Sequence, residues 1–222
     1  MSGPLHLKTL VPDDVRLALE RDPRLLVPVG TCEPHGPHLP LGSDTFIVER
    51  LADDLSAEFQ ILRAPTVEYG VNALSGRQFF GNASVRRKTL HRWMNDLLGS
   101  WEQAGVDAFI ILTAHGYDPH QEALSTLRTR QARVLTVDVF ALDFSGQLAQ
   151  PEGPVHGSEL DTSLVLYVAP DLVHLPGEHG RGPRAASPGS GEQPFLASRE
   201  KGERLYKMIY ERIATRVLES AA

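Results

Sequence analysis

Residues 25–44 read LLVPVGTCEPHGPHLPLGSD, and this stretch contains the beginning of a βα unit. Its first five residues, 25–29, are almost continuously apolar, which is typical of a strand covered on both faces of a sheet. Polar residues and prolines follow Gly30 and indicate a loop. Beyond the loop, apolar residues recur at three- and four-residue steps from Ile47 to Phe59. This spacing predicts an amphipathic helix that begins at Ser43 or Asp44.

The alternation of strand and helix patterns continues along the chain. Further strands are predicted at 61–67, 108–112 and 134–140, and further helices at 90–101, 122–131, 158–169 and 198–218. This order predicts an α/β fold with a mostly parallel central sheet flanked by helices. Trp93 and Trp101 fall on the apolar stripe of the 90–101 helix, so we expect both in the core. We expect residues 1–222 to form a single domain, because too few residues follow the Gly- and Pro-rich stretch 176–194 to build a second core.

The composition excludes several classes of partner. A formal charge of −6, without a run of five like charges, argues against a surface for nucleic acids or anionic membranes. One cysteine cannot form an internal disulfide, and no stretch resembles a signal peptide or a transmembrane span. We therefore expect a soluble, cytoplasmic protein that binds neither nucleic acid nor membrane. Nine histidines make the chain rich in metal ligands.

Glu33, His35 and Asp44 form the first cluster of candidate metal ligands, directly after the first predicted strand. Loops at the carboxyl ends of parallel strands are where α/β sheets bind ligands. An extended backbone through residues 33–35 places the side chains of Glu33 and His35 on the same side, about 7 Å apart at their Cα atoms. Asp44, at the start of the following helix, could bridge two metal ions about 3.5–4 Å apart, as in two-metal hydrolytic sites.

Two further polar clusters occupy similar positions. Residues 113–120, TAHGYDPH, follow a strand and contain His115, and residues 156–163, HGSELDTS, open a helix and contain His156 and Glu159. Each of these residues alone is more often a hydrogen-bonded structural histidine or a carboxylate in a helical first turn. Their coincidence favours a metal site, because five side chains after strands or at helix starts suit zinc, manganese or iron: Glu33, His35, Asp44, His115 and Glu159.

These motifs resemble those of the creatininase, or creatinine amidohydrolase, family. Residues 33–44 resemble its E-x-H-G-x-H-L-P…D metal segment, and residues 156–163 resemble its H-A-G-E-x-E-T-S segment. His115-Gly116 is similar to part of its N-G-H-G-G-N loop, and residues 197–202, ASREKG, to its A-S-x-x-K-G segment. The resemblance extends over most of residues 25–210 and implies a three-layer α/β fold.

The resemblance implies a binuclear metal centre with a bridging hydroxide. It places Glu33 and His115 on one ion and His35 and Glu159 on the other, with Asp44 bridging both. Two divalent ions per subunit are expected, with Zn²⁺ as the expected metal and Mn²⁺ or Fe²⁺ as alternatives.

The catalytic residues expected from the resemblance are Asp44 and His156. Asp44 would hold the two ions together, and His156 would stabilise the tetrahedral intermediate or pass a proton to the leaving nitrogen. His38 is expected to fix the loop rather than to bind metal.

The resemblance also implies a metal-dependent amidohydrolase that forms a homo-oligomer, commonly a hexamer. Creatinine-hydrolysing members have a metal-binding glutamate two residues after the histidine that matches His115, whereas this chain has Tyr117. We therefore expect a small-molecule amide other than creatinine, with a non-ordinary C–N bond such as that of a cyclic amide, a formamide or a modified peptide. Arg77 and Tyr117 are the expected substrate-binding residues, and the loops 70–80 and 176–194 are expected to contact substrate.

Two other functions fit the same residues. The chain could be a catalytically inactive metal-binding scaffold, because the loop 113–118 departs from the family pattern. It could also be a hydrolase with Cys32 as its nucleophile, since Cys32 neighbours Glu33 and His35. A cysteine at a strand end is more often a small buried residue.

Overall fold

Five parallel strands lie at the centre of the structure, a computed structural model that describes residues 3–73, 80–149, 155–175 and 196–219. The strands are β1 (Leu5–His6), β2 (Arg24–Val29), β3 (Leu62–Arg63), β4 (Ala108–Thr113) and β5 (Arg133–Asp138). They are hydrogen-bonded in the order β1-β3-β2-β4-β5, and every pair in that order is parallel. The α-helices of the described part are α1 (Pro12–Arg21), α2 (Ser43–Phe59), α3 (Arg87–Gln103), α4 (Asp118–Ser125), α5 (Glu159–Val168) and α6 (Arg199–Glu219).

Helices cover both faces of the sheet. Successive residues of β2 alternate between two apolar clusters, as the period of two in a strand requires. Leu26 belongs to the cluster that contains α2, α5 and α6, whereas Leu25 and Val27 belong to the cluster that contains α1, α3 and α4. Ile110 and Phe109 of β4 divide between the two clusters in the same way. The expected α/β fold, with a parallel sheet between two helical layers, is confirmed.

Some predicted boundaries were wrong. The helix expected at 122–131 is α4, which begins at Asp118 because Pro119 suits the first turn, where a missing N–H costs no hydrogen bond. The strand expected at 61–67 is limited to Leu62–Arg63, since Pro65 has no N–H to extend the ladder. The short elements β1 and α1 were not predicted. All described strands belong to one sheet, and a single domain over residues 1–222 stays a prediction.

Trp93 was wrongly predicted to lie in the core. It is 47% exposed, whereas Trp101 is partly buried against the apolar cluster. The buried residues of α3 are Leu90, Met94 and Leu98, spaced by four. Trp93 precedes Met94 by one position and is rotated from it by about 100° around the helix, which turns it towards solvent. None of the helices in the described ranges has the length and apolar character that crossing a bilayer requires.

The carboxyl ends of β2 and β4 meet at one edge of the sheet, because the two strands are parallel neighbours. The start of α5 closes this edge, and Gly157 allows it to approach the loop after β2. Gly157 has a φ of +67°, and a Cβ there would lie 2.7 Å from the carbonyl oxygen of His35. Any other residue would therefore push the start of α5 away from this edge.

Candidate metal centre

Five of the predicted site residues meet at this edge of the sheet. Glu33 and His35 lie in the loop after β2, Asp44 in the first turn of α2, His115 after β4 and His156 before α5. Two overlapping triads have candidate ligand atoms within 4.8 Å of one another: Glu33, Asp44 and His115, and Glu33, His35 and His156. His156 has a side chain that is 36% exposed, and the other four residues are buried. The edge thus collects the imidazole and carboxylate groups that divalent transition metals prefer.

Asp44 lies between two imidazoles. Its Oδ1 is 3.0 Å from His35 Nε2, and its Oδ2 is 3.1 Å from His115 Nδ1. The hydroxyl of Thr31 donates a hydrogen bond of 2.7 Å to Oδ2 and fixes the carboxylate. Each oxygen of one carboxylate therefore faces a different histidine, which is the arrangement of a bridging ligand.

Backbone carbonyls orient both imidazoles. His115 Nε2 lies 3.0 Å from the carbonyl oxygen of Val71, and His35 Nδ1 lies 3.1 Å from that of Glu33. A carbonyl can only accept, so these nitrogens carry the protons. In a neutral imidazole the other nitrogen then presents a lone pair to Asp44. A cation between each lone pair and the carboxylate, either a proton or a metal ion, stabilises this arrangement, and metal-binding histidines are commonly oriented in this way.

Glu33 adds a second negative charge to the cluster. Its Oε1 is 3.0 Å from His115 Nδ1 and 4.0 Å from His156 Nδ1. Within the described ranges this buried oxygen has no well-formed hydrogen bond, and its contact with His115 is an ion pair when that imidazole is charged. A buried carboxylate oxygen without a donor is costly, and a bound cation would satisfy it. The residues present therefore fit divalent metal ions.

The pKa values at the site reflect the same demand for positive charge. Burial alone lowers the pKa of His35, but the charge and hydrogen bond of Asp44 outweigh burial and raise it to about 9. Burial also opposes the charged form of His115, yet Asp44 and Glu33 raise its pKa to about 10. Burial raises the pKa of Asp44, but the two imidazoles outweigh it and hold that pKa well below its usual range. The carboxylate is thus ionised and attracts cations.

Glu159, expected to bind the second ion, does not reach this cluster. Its buried carboxylate accepts the backbone N–H of Ala149 at 3.0 and 2.8 Å and forms a salt bridge with Lys201 of α6. Asp161 lines the cavity instead. Residues two apart in a helix are related by a rotation of about 200° around its axis and point to nearly opposite sides. Only one of these two carboxylates can therefore face the sheet edge.

Asp161 is the acidic residue of α5 that the sequence interpretation missed. It is buried, and it accepts the backbone N–H of Gly157 at 2.6 Å. Burial raises its pKa, although the charges of His35 and His156 act in the opposite direction. Both candidate acidic ligands lie in the segment 159–161, ELD. Because α5 begins at Glu159, the two side chains point to different sides of the helix, and only that of Asp161 lines the cavity.

A cavity of about 510 Å³ opens beside the candidate ligands. Its lining combines the polar side chains of the cluster with apolar and aromatic residues, among them Tyr117, Phe140, Val155 and Leu160. Tyr117, the predicted substrate-binding residue, is part of this lining. Arg77 and the stretch 176–194 lie outside the described residues.

His38 and Cys32 lie near the cluster without joining it. His38 Nε2 is 2.8 Å from Thr162 Oγ1, which connects the loop after β2 to α5, as a loop-fixing role requires. Cys32 is half-buried, and its thiol lies 3.6 Å from the carbonyl oxygen of Gly81. Burial, with the charge of Glu68, raises the pKa of this thiol, whereas a nucleophilic cysteine needs a lowered one.

The chain has relatives among characterised hydrolases. The creatininase family model, described as creatinine amidohydrolase, matches residues 9–217. The creatinine amidohydrolase of Pseudomonas putida is 25% identical over an alignment that covers 88% of each chain. The mycofactocin precursor peptide peptidase of Mycolicibacterium smegmatis is 27% identical over 68% of this chain and 60% of its own. The 3-dehydro-scyllo-inosose hydrolase of Thermotoga maritima is 23% identical over 77% of this chain, which spans 58% of that protein.

Solved structures share the fold. A mutant creatininase of Zn-Zn type superimposes with a TM-score of 0.80 over 99% of both chains, at 23% identity. A creatininase with Mn gives a TM-score of 0.78 over 98% of both chains, also at 23% identity. At this identity the structural likeness shows the fold alone, whereas the family model matches most of the sequence. The chain therefore belongs to the creatininase family.

Proposed function

We propose that the protein is an amidohydrolase that uses two divalent metal ions to cleave a non-ordinary amide C–N bond. The observation that carries the proposal is Asp44, whose two oxygens lie 3.0 and 3.1 Å from the imidazoles of His35 and His115. A carboxylate placed in this way can bridge two ions. When bound, two such ions lower the pKa of a water molecule to near neutral and polarise the scissile carbonyl.

The proposed ligands divide between two positions around Asp44. Glu33 and His115 would hold one ion, because His115 Nδ1 lies 3.0 Å from Glu33 Oε1 and 3.1 Å from Asp44 Oδ2. His35 would hold the other, with Asp161 in place of Glu159, since Asp161 is the acidic residue of α5 that lines the same cavity. Three carboxylates offset most of the charge of two divalent ions, so the cluster can be buried without a large desolvation penalty.

His156 is the proposed proton-transfer residue. Its ring centroid lies 4.3 Å from that of His35, and its Nε2 is 3.0 Å from the carbonyl oxygen of Pro34. It lines the cavity and is more exposed than His35 or His115. A partly exposed imidazole can exchange protons with solvent and deliver one to the leaving nitrogen.

The cavity supports a small-molecule substrate. Its volume of about 510 Å³ falls within the range of ordinary ligand pockets. The apolar part of its lining suits a substrate that presents an apolar group there and its amide to the proposed ligands. We assign Tyr117 to substrate positioning, because it lines the cavity and its ring centroid lies 6.2 Å from that of His115.

A screen of amide classes with and without chelator tests the proposal. The panel contains cyclic ureas, lactams, formamides and short peptides. We expect hydrolysis of at least one class, loss of that activity after chelation and its recovery with Zn²⁺ or Mn²⁺. Hydrolysis that persists in metal-free protein would contradict the proposal. Metal binding without turnover of any class would favour the inactive scaffold.

Metal removal should also reduce stability. A ligand present at 100 times its Kd stabilises the folded state by about 2.7 kcal/mol. For a chain of this size, that corresponds to a fall in Tm of about 5–10 °C after chelation. Differential scanning fluorimetry with and without added Zn²⁺ measures the shift. The Asp44→Asn variant provides the control, since its Tm should not respond to the metal.

Cys32→Ala separates the proposed chemistry from a cysteine nucleophile. We expect the variant to retain activity within about twofold, because its half-buried thiol has a raised pKa. Initial rates on the substrate that emerges from the screen measure this. Abolished activity in a folded, metal-loaded variant would instead assign the nucleophile to Cys32.

A further inference from the structure

His120 is a fully buried histidine that the proposed reaction does not use. It lies on α4, five positions after His115, and it belongs to neither candidate ligand triad among the described residues. Its ring packs edge-to-face against that of His115, with centroids 4.9 Å apart and planes at 85°. Both of its ring nitrogens have protein partners, and both partners are connected to His115.

The first connection passes through Val71. The backbone N–H of Val71 donates to His120 Nδ1 at 3.2 Å. The carbonyl oxygen of the same residue accepts from His115 Nε2 at 3.0 Å. Gly70 brings this backbone onto the ring, because a Cβ at Gly70 would lie 2.5 Å from His120 Nδ1. His120 therefore holds the residue whose carbonyl orients the imidazole of His115.

The second connection passes through Thr113, the last residue of β4. His120 Nε2 lies 3.1 Å from Thr113 Oγ1, which also accepts the backbone N–H of His115 at 3.4 Å. Since the N–H of Val71 can only donate, His120 Nδ1 must accept and Nε2 must carry the proton. This tautomer satisfies both connections at once.

We propose that His120 is a positioning residue that fixes the imidazole of His115 for metal binding. This inference rests on the proposed function, in which His115 is a metal ligand. His120 acts on the ring of His115 through the carbonyl of Val71 and on the backbone of His115 through the hydroxyl of Thr113. Loss of groups that orient metal-binding histidines typically lowers metal affinity by about 10–100-fold, and we expect the lower end for a residue that acts through others.

Paired substitutions test this role. Asn places its amide near the Nδ1 position of histidine, so His120→Asn can still accept from Val71. Gln places its amide near the Nε2 position, so His120→Gln keeps only the bond to Thr113. Zn²⁺ affinity is measured by competition with a chelating dye. His91→Gln, at a half-buried histidine of α3 beside Thr126, is the matched control.

We expect Zn²⁺ affinity to fall about 10-fold in His120→Gln, by less than about threefold in His120→Asn and not at all in His91→Gln. A packing role alone predicts the reverse order, because Gln is closer to histidine in volume. Equal losses in the two His120 variants, or wild-type affinity in His120→Gln, would overturn the proposal.

A second measurement needs no substitution. The ¹⁵N chemical shifts of His120 in the wild-type protein should report a neutral ring with its proton on Nε2. A proton on Nδ1 would overturn the proposal even if both variants fail to fold. If the wild-type protein binds no Zn²⁺ although His120 shows the expected tautomer, the proposed function fails, and with it the metal-positioning role.

Discussion

Replacing Asp44 by asparagine should remove bound metal and activity together. Asparagine has nearly the same shape and can still accept the hydrogen bond that Thr31 donates to Asp44 at 2.7 Å. It lacks the negative charge, and its amide nitrogen cannot ligate a metal while its oxygen faces only one imidazole. We expect metal affinity to fall by more than about 100-fold, the upper end of the loss seen when only a partner of a ligand is removed.

Elemental analysis and initial rates measure this effect on the same preparation. Asp13→Asn is the matched control, because Asp13 lies on α1 with a side chain that is 87% exposed. The control should retain both metal and activity. An Asp44→Asn variant with wild-type metal content would contradict a bridging role for Asp44.

Glu159 and Asp161, two carboxylates of α5, should respond in opposite ways when each is replaced by the corresponding amide. Glu159→Gln leaves Lys201 without its charged partner, in a salt bridge where Glu159 is fully buried and the lysine side chain is 15% exposed. Breaking a buried ion pair costs 3–5 kcal/mol, so we expect a loss of about 3 kcal/mol in the free energy of unfolding. Metal content should be unchanged, because Glu159 contacts Ala149 and Lys201 rather than the cluster.

Asp161→Asn should lose metal and remain folded. Burial raises the pKa of Asp161 because the ionised carboxylate is less stable inside the fold than in water. When the pH is above that pKa, the ionised carboxylate therefore destabilises the folded state. Asparagine removes this charge and keeps an oxygen for the N–H of Gly157. In metal-free buffer at neutral pH the variant should therefore be at least as stable as the wild type, while its metal content falls towards one ion per chain.

Urea unfolding and elemental analysis of both variants provide the comparison. A double variant, Glu159→Gln with Lys201→Met, should recover much of the stability, because no unpaired charge then remains. Loss of metal in Glu159→Gln, with full metal content in Asp161→Asn, would restore Glu159 as the ligand.

The central strands could be predicted because a strand buried on both faces is a continuous run of apolar residues. Such a run can be recognised without knowing which strands pair with it. Strands β2 and β4 are almost continuously apolar, and both are buried nearly throughout. Strand β1 has only two residues, and its pairing with β3 depends on a contact distant in sequence. The burial of Trp93 was mispredicted because a helical stripe is wide, and the packing of neighbouring helices decides which of its margins is covered.

The candidate site was predictable where its residues follow strands directly. Glu33, His35 and His115 are placed by strand ends, and Asp44 by a helix start, so their convergence follows from the parallel sheet. The choice between Glu159 and Asp161 depends on which side of α5 faces the cavity. A shift of two residues rotates a helix by about 200° and reverses that choice. The role proposed for His120 depends on Val71, 49 residues away, and no local pattern indicates such a contact.

Elemental analysis of the purified wild-type protein, after dialysis against metal-free buffer, shows whether the cluster around Asp44 holds metal. Two carboxylate-bridged positions predict close to two divalent ions per chain, with Zn²⁺ as the expected metal. Dialysed protein that carries no divalent ion, and that takes up none when Zn²⁺ or Mn²⁺ is added back, would rule out a metal centre at this cluster.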